Sequence, residues 1–271
     1  MIQIDWYKFD EYLTNAFHSR TQSEYRGNAK RYWRVLTTGD ASPLLGLSDA
    51  KRRHAMGALA SLSNFLGEKE AWKHIVSKYD LRWNGKNDIG DLVTLLYSNR
   101  FDEMAGELRT ALESVPEDYA NYYRFNVATG LRPVEAVMAV NMLRTNYSNY
   151  VNRDLLVLEH YKFPNQFIRN TKKAFISVVD QETLEIAKNT RSLDYQGIRS
   201  EFRRRKLAFN MAYCRKVYAT FMKKRIEVEL IDLLQGRVPT GIFAKFYNRP
   251  NYKDDLEKVR SSLPEVRKLI D

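Results

Sequence analysis

Arg132, Arg215 and Tyr247 are far apart in this 271-residue chain, yet their side chains can together cut a phosphodiester bond without a metal ion. A tyrosine oxygen can attack phosphorus while arginines hold the non-bridging oxygens, on which negative charge grows in the transition state. Arg237, ten positions before Tyr247, is a third arginine that can take part. The chain therefore has the residue types, a nucleophile and several cations, for strand cleavage through a covalent tyrosine link.

Arg132 has the most informative setting of these residues. In the segment Thr-Gly-Leu-Arg-Pro-Val-Glu (129–135), Gly130 is predicted to end one helix and Pro133 has the place of a first-turn proline. Arg132 is therefore predicted at a helix N-terminus, where its guanidinium and the helix-end N–H groups can face a phosphate. Glu135, one turn on, can hold the arginine in place. An ordinary Arg–Glu pair at the start of a helix has the same pattern.

Arg215 lies beside the apolar stripe of a predicted helix. The stripe consists of Met211, Cys214, Tyr218, Phe221 and Met222. Because this spacing is typical of a buried helix face, Arg215 is predicted at the rim of the core, where a partly buried functional arginine belongs. On this segment alone, a solvated arginine is the commoner explanation.

Lys172 and Lys173 directly precede the apolar segment 174–179, which is predicted to be a strand. A lysine on such an element can protonate a leaving 5′ oxygen as a general acid. The alternative is a charged strand end that discourages edge pairing.

Tyr247 follows the apolar segment 242–246, which predicts a short helix with the tyrosine near its end. One tyrosine among seventeen carries little information by itself, and Tyr252 is the nearest rival.

The composition predicts a polyanionic partner. Forty-four Lys and Arg against 33 acidic residues give a net charge of +11 and a pI near 9.5. Such a field favours nucleic acid first and an anionic membrane surface second. The N-terminus has no signal-peptide pattern, and no window reaches the about 18 apolar residues that span a bilayer. We therefore expect a cytoplasmic protein that does not insert into membranes.

A metal centre is not expected. Cys214 is the single cysteine, which excludes an internal disulfide and a Cys-based zinc cluster and fits a buried small hydrophobe. The histidines are scattered through the sequence, at His18, His54, His74 and His160. No cofactor is predicted.

The first third of the chain reads as a bundle of four short amphipathic helices, over about residues 5–80. Thr21, with Glu24 three residues on, is a predicted N-cap of the second helix. A loop from Gly39 to Gly46 precedes a third helix, which is capped by Ser48 and ends at Gly67. The polar segment 84–88 is the best linker candidate.

The rest of the chain is predicted to be helical to about 145 and again from 181 to the end. Between these parts, the runs 155–158 and 174–179 flank a predicted Pro164–Asn165 turn and indicate a small antiparallel sheet. The fold class is therefore mainly α with a small antiparallel β-sheet. The tail has an apolar stripe that can dock on a neighbouring protomer or on its own core.

Taken in order, these residues resemble the tyrosine recombinase (phage-type integrase) family. Residues 128–135 resemble its first arginine box, T-G-x-R-x-x-E. Lys172 is at the place of its β-hairpin lysine, and Arg215 at its second arginine. Residues 234–237 look like its L-G-H/W box, which precedes the nucleophile Tyr247. The whole is most similar to the short integrases of archaeal viruses and plasmids.

The resemblance implies a mechanism. Tyr247 is the nucleophile, Arg132, Arg215 and Arg237 hold the phosphate, Lys172 is the general acid and Glu135 supports Arg132. The product is a 3′-phosphotyrosyl link, which needs no nucleotide or metal. Four protomers are expected on two DNA duplexes, each with a specific attachment site, and a monomer or dimer when free. If the gene is viral or plasmid-borne, the protein acts in the host cell.

The same resemblance gives roles to the two parts of the chain. It covers about residues 90–260, and residues 5–80 are similar in size and character to the family's core-binding domain. We therefore predict a helical DNA clamp at 1–84 and a catalytic domain with a C-terminal helix at 88–271.

Three departures from the family pattern matter. Ala212 stands where the family's H/K-x-x-R box has histidine or lysine, so a phosphate-contacting side chain is missing, for which Tyr213 or Lys216 would have to substitute. Lys173 is the second candidate for the hairpin lysine, after Lys172. Arg237 replaces a histidine or tryptophan. Tyr247 comes ten residues after Arg237, where nine is usual. A type IB topoisomerase-like enzyme is the closest alternative, and Ala212 favours a second one, a recombinase-derived DNA-binding protein with impaired catalysis.

Overall fold

The chain consists of two compact units, Met1–Tyr97 and Ser98–Asp271. The computed structural model describes residues 4–17, 19–83, 100–169, 172–237 and 252–271. Each unit has its own hydrophobic core. The protein is mainly α-helical with one small antiparallel sheet, and this confirms the predicted fold class.

The described part of the first unit consists of helices, of which α2 and α5 pack along each other. The helices are α1 (Trp6–Ala16), α2 (Ser19–Tyr32), α3 (Arg34–Thr38), α4 (Ser42–Leu45), α5 (Asp49–Leu66) and α6 (Lys69–Lys78). Their apolar faces meet in a core that includes Phe9, Leu13, Met56, Leu59, Leu62 and Trp72.

The structure confirms some of the predicted helix ends in this unit and corrects others. Ser48 directly precedes α5, and Gly67 ends it in a left-handed conformation with φ +76°. Thr21 is not an N-cap, because the chain turns from α1 into α2 within a few residues and α2 already begins at Ser19. The loop after Gly39 contains α4, because Pro43 in a first helical turn favours the helix.

The second unit is built around one buried helix, α8, against which α7, α9, α12, α14 and α16 pack. Its helices are α7 (Arg100–Glu113), α8 (Glu117–Thr129), α9 (Pro133–Thr145), α10 (Tyr147–Tyr150), α11 (Pro164–Phe167), α12 (Gln181–Asn189), α13 (Tyr195–Arg204), α14 (Ala212–Met222), α15 (Val228–Leu234) and α16 (Tyr252–Arg267). Among these helices, none combines the length and hydropathy that a bilayer span requires.

The sheet of the second unit has three two-residue strands in the order β1 (Val151–Asn152), β2 (Val157–Leu158) and β3 (Ser177–Val178), all antiparallel. Both predicted apolar runs contain a strand, and β1 is an addition that the sequence pattern did not reveal. The predicted Pro164–Asn165 turn is wrong, because Pro164 begins α11.

The buried His160 side chain links the sheet to helix α10. Its Nδ1 lies 2.6 Å from the Tyr150 hydroxyl and its Nε2 lies 2.8 Å from the Ser177 hydroxyl. Burial lowers the pKa of His160 to about 3, so the ring is neutral at physiological pH. The group is structural and gives the sheet a fixed position on α10.

The C-terminal helix α16 docks on the core of its own unit. Its apolar stripe is buried at Leu256, Val259, Leu263 and Val266. Of the two docking modes that the sequence left open, the folded chain has the one on its own core.

Candidate active site

The loop that carries Arg132 is fixed by contacts on both sides. Gly130 ends α8 at φ +62°, and a Cβ there would lie 2.4 Å from Cδ1 of the Tyr218 ring, so glycine is required. The buried Asn126 side chain donates to the Leu131 carbonyl at 2.7 Å. Arg132 then precedes α9, with Pro133 in its first turn, as the sequence predicts.

Arg132 is held by one buried carboxylate and one carbonyl. Its Nη1 donates to Oε1 of Glu135 and to the Lys173 carbonyl, each at 3.0 Å. Glu135 is only 1% exposed, and its Oε2 accepts from the Arg132 backbone N–H at 3.2 Å. Within the described part of the chain, Nε and Nη2 of Arg132 have no recorded acceptor. The guanidinium is therefore held by one edge, while the other is available to an anion.

Arg215 lies at the rim of the core, where the sequence pattern places it. Its Nη1 donates to the Gly130 carbonyl at 3.1 Å and its Nη2 to the Gln235 carbonyl at 2.7 Å. The Nε2 group of the buried Gln235 donates to the Arg215 carbonyl at 2.9 Å. Arg215 therefore ties the end of α8 to the end of α15.

The surroundings of Arg215 lower the pKa of its guanidinium. Burial, with the positive charges of Arg132 and Arg237 as smaller causes, lowers the pKa of Arg215 to about 10. The side chain remains charged at neutral pH. Arg215 contacts the carbonyls of Gly130 and Gln235, each two residues before another of these arginines, so the three lie near one another although Arg132 and Arg237 are 105 positions apart in the sequence.

The backbone brings Lys172 and Lys173, the two hairpin lysines, into the neighbourhood of Arg132. Lys173 pairs with Ile168 in an isolated antiparallel bridge, and its carbonyl accepts from Arg132. Lys172 is exposed, and its carbonyl accepts from the Arg169 N–H at 2.8 Å. Lys172 is therefore in a loop beside the bridge, in a position from which it can reach solvent or substrate.

Gly236 brings the last arginine against this hairpin. It follows α15 at φ +68°, and a Cβ there would lie 1.5 Å from the Lys173 carbonyl oxygen. The N–H groups of Gly236 and Arg237 bond back to the last turn of α15, which makes a Schellman motif. Arg237 itself is exposed, and its Nη1 donates to Asp232 at 2.6 Å.

The other candidates do not all join this cluster. Lys216 Nζ lies 5.2 Å from the centre of the Tyr213 ring, and no recorded hydrogen bond within the described residues links either side chain to Arg132 or Arg215. Ala212, exposed at the start of α14, has no polar side chain to offer. Tyr247 lies outside the described residues, and Tyr252 begins α16.

Two residues of the cluster were missed by sequence reasoning. Gln235 is the buried partner of Arg215, and Arg169 is a second arginine on Glu135 at 3.0 Å. Both contacts join residues that are 20 or more positions apart, so no local spacing indicates them. The one visible signal was Gln235 itself, a glutamine directly after the largely apolar run 230–234 at the end of a predicted helix.

The assembled site has a large excess of positive charge. Among the described residues, the acidic groups that pair with arginines 132, 169, 215 and 237 or with the hairpin lysines are two, Glu135 and Asp232. Among the described residues, no group of three His, Cys, Asp or Glu side chains is placed to hold a metal ion. The arrangement suits a phosphate, whose oxygens accept from several guanidinium groups at once.

Comparison with known proteins identifies the family. A sequence model described as archaeal phage integrase matches residues 102–254, a span that contains all four arginines and both lysines of the cluster together with Tyr247. No curated protein matches the chain. Because the match covers more than half of the sequence, this chain belongs to the archaeal phage integrase family.

Proposed function

We propose that the protein is a tyrosine-type site-specific DNA recombinase, which cuts and rejoins duplex DNA through a 3′-phosphotyrosyl intermediate. Membership of an integrase family gives the general function and the DNA partner. The observation that carries the finer assignment is the convergence of the Arg132, Arg215 and Arg237 segments beside Lys173, through the bonds of Arg132 and Arg215 to carbonyls and the close approach of Gly236 to Lys173. This cluster has the charge and the donors that a phosphoryl transition state needs.

In the proposed reaction, the Tyr247 hydroxyl releases its proton to solvent water as its oxygen attacks the scissile phosphorus in line. A bond forms between phosphorus and the tyrosine oxygen as the bond to the 5′ oxygen breaks. The arginines neutralise the non-bridging oxygens, and Lys172 gives its proton to the leaving 5′ oxygen. A 5′ hydroxyl from another strand then reverses the step and restores a diester, so that neither ATP nor a metal ion is required.

Both parts of the chain are proposed to contact the target duplex. Residues 1–84 contain 13 Lys and Arg and nine acidic residues, a net charge of +4, which leaves +7 for residues 85–271. We assign the first part as the DNA clamp and residues 88–271 as the catalytic domain. Four protomers on two duplexes would carry out the exchange at a specific attachment site.

The test is capture of the covalent intermediate. A library of duplexes with randomised sequence, each nicked near its centre, is incubated with the protein in EDTA and without ATP. Loss of the short nicked fragment prevents religation, so we expect protein–DNA complexes that survive denaturation and whose DNA, once sequenced, defines the site. Tyr247→Phe should give none and still bind the recovered duplex, whereas Tyr252→Phe should react normally.

Ala212 favours one alternative, a recombinase-derived DNA-binding protein without catalysis. That protein would select a duplex in the same library by binding and would form no covalent complex with it. A type IB topoisomerase would form the complex but would not convert two copies of the recovered site into a Holliday junction.

A further inference from the structure

Arg169 lies beside Arg132, in a position that neither the family motifs nor the proposed mechanism uses. Its Nη2 donates to Oε1 of Glu135 at 3.0 Å, and the same oxygen accepts from Nη1 of Arg132 at 3.0 Å. The two guanidinium groups are therefore within two hydrogen-bond lengths of each other. Arg169 thus has the position of a fourth arginine at the phosphate site.

The charge balance of this pair leaves one positive charge uncompensated. Glu135 is a single carboxylate, 1% exposed, and both Arg132 and Arg169 pair with it. The Arg169 side chain is 45% exposed, and its Nε and Nη1 have no recorded acceptor within the described part of the chain. Two like charges at this distance repel, and an additional anion relieves the repulsion. The anion that the proposed function supplies is a DNA phosphate.

The backbone fixes Arg169 relative to the proposed general acid. The Arg169 N–H donates to the Lys172 carbonyl at 2.8 Å, and the Lys172 N–H donates back to the Arg169 carbonyl at 3.3 Å. The neighbouring bridge joins Ile168 to Lys173, whose carbonyl accepts from Arg132. Arg169 and Lys172 therefore belong to one small unit that Arg132 holds in place.

We infer that Arg169 is a further catalytic residue, which contacts a non-bridging oxygen of the scissile phosphate together with Arg132. This inference rests on the proposed function. Arg169 would supply a cation to a site in which position 212 is alanine. In the family that the sequence resembles, that position holds a side chain that contacts the phosphate. The buried Glu135 keeps both guanidinium groups oriented, and the phosphate takes the donors that Glu135 leaves free.

The experiment compares two forms of the duplex recovered with the wild-type protein. One has the natural scissile phosphate, and the other has a methylphosphonate there, in which a neutral methyl group replaces either non-bridging oxygen. The variants are Arg169→Ala, Arg169→Lys and, as matched control, Arg191→Ala. Arg191 is also about half-exposed and pairs with one carboxylate, Asp118, at the opposite end of α8. Thermal unfolding confirms that each variant is folded.

We expect Arg169→Ala to cut the natural duplex about 100-fold more slowly than wild type, the scale for loss of one transition-state donor. With one methylphosphonate diastereomer the deficit should shrink to a few-fold, because one negative charge is gone. Arg169→Lys should lie between Arg169→Ala and wild type, and Arg191→Ala should match wild type on both duplexes.

Two results would overturn the assignment of Arg169 alone. Wild-type rates for Arg169→Ala on both duplexes would make it a surface arginine. An equal deficit on the phosphate and on both methylphosphonates would mean that it acts only by positioning Glu135. If wild type itself forms no covalent complex, the proposed function fails, and this inference with it.

Discussion

Two clusters of arginine and carboxylate in the second unit have opposite charge balance. At the proposed active site, one buried carboxylate, Glu135, serves two arginines, Arg132 and Arg169. At the base of the C-terminal helix, one arginine, Arg267, serves two carboxylates, Asp180 and Glu182. With the neighbouring Arg215 and Arg237, the first group has more cations than carboxylates and is called the surplus cluster below. In the second, the Arg267 cluster, the single cation is enclosed.

The Arg267 cluster satisfies nearly all of its own donors. Nη1 donates to Asp180 at 2.9 Å and to the Thr183 hydroxyl at 2.8 Å, while Nη2 donates to Asp180 at 2.8 Å and to Glu182. Burial opposes ionisation of Asp180, but the hydrogen bonds from Arg267 and Thr183 outweigh it and lower the pKa of that carboxyl. The cluster therefore joins α16 to the start of α12, and the Nη1 and Nη2 donors of Arg267 are all taken by these partners.

The comparison distinguishes arginines that stabilise the fold from arginines that have donors left to bind an anion. The ratio of cations to carboxylates in each cluster distinguishes the two kinds of arginine. Burial alone does not, because Arg215 is half-buried like a structural arginine and yet lies in the surplus cluster. The predictions below test whether the surplus cluster controls reaction rate while the Arg267 cluster controls stability.

Arg267→Ala should have the largest effect, a loss of about 3–5 kcal/mol in the free energy of unfolding, because it removes the partner of Asp180, a carboxylate whose side chain is only 15% exposed. Urea unfolding measures this loss. Arg225→Ala is the matched control, because Arg225 pairs at the surface with Glu265, which lies in α16 as Arg267 does. This substitution should cost at most about 1 kcal/mol. Equal losses in the two variants would mean that the buried cluster does not anchor α16.

Arg132→Ala and Arg215→Ala should each slow cleavage by about 100- to 1000-fold, because each removes a preorganised donor to the transition state. Single-turnover cleavage of the recovered duplex measures the rate. Both variants should remain folded, with a stability loss smaller than that of Arg267→Ala. A variant that cuts at the wild-type rate would show that its arginine is only a structural contact.

The sequence predicts the surplus cluster in part, for physical reasons. Gly130 and Pro133 are local signals of a helix end and a helix start, so the position of Arg132 can be inferred from neighbouring residues. Arg169 and Gln235 act through contacts between distant segments, which no local spacing encodes. The strand β1 consists of Val151 and Asn152, which belong to no apolar run, so no pattern indicates it. The helix α2 begins before the expected cap at Thr21 because the preceding connection is short. The role of Tyr247 stays a prediction.

Gly236→Ala should affect both stability and rate. A Cβ at this position meets the Lys173 carbonyl, so the hairpin must shift away from Arg132, and we expect about 1–3 kcal/mol of destabilisation and cleavage at least about tenfold slower. Gly67→Ala is the control, because Gly67 has a similar left-handed conformation but open space around it. If both variants lose the same stability and cut normally, the contact of Gly236 with the hairpin does not position the site.

The smallest expected effect is on the salt dependence of DNA binding. Each phosphate contact adds about 0.9 to the slope of log affinity against log salt concentration, because it releases counterions from the duplex. Arg237 is 58% exposed and belongs to the surplus cluster, so Arg237→Ala should lower the slope by about 0.9. Arg267→Ala, studied where it is folded, should leave the slope unchanged, since its guanidinium is enclosed. Fluorescence anisotropy titrations with the recovered duplex over a series of salt concentrations measure both slopes. An unchanged slope for Arg237→Ala would mean that its bond to Asp232 persists in the complex, and the surplus of the site would then be one cation smaller than its residues suggest.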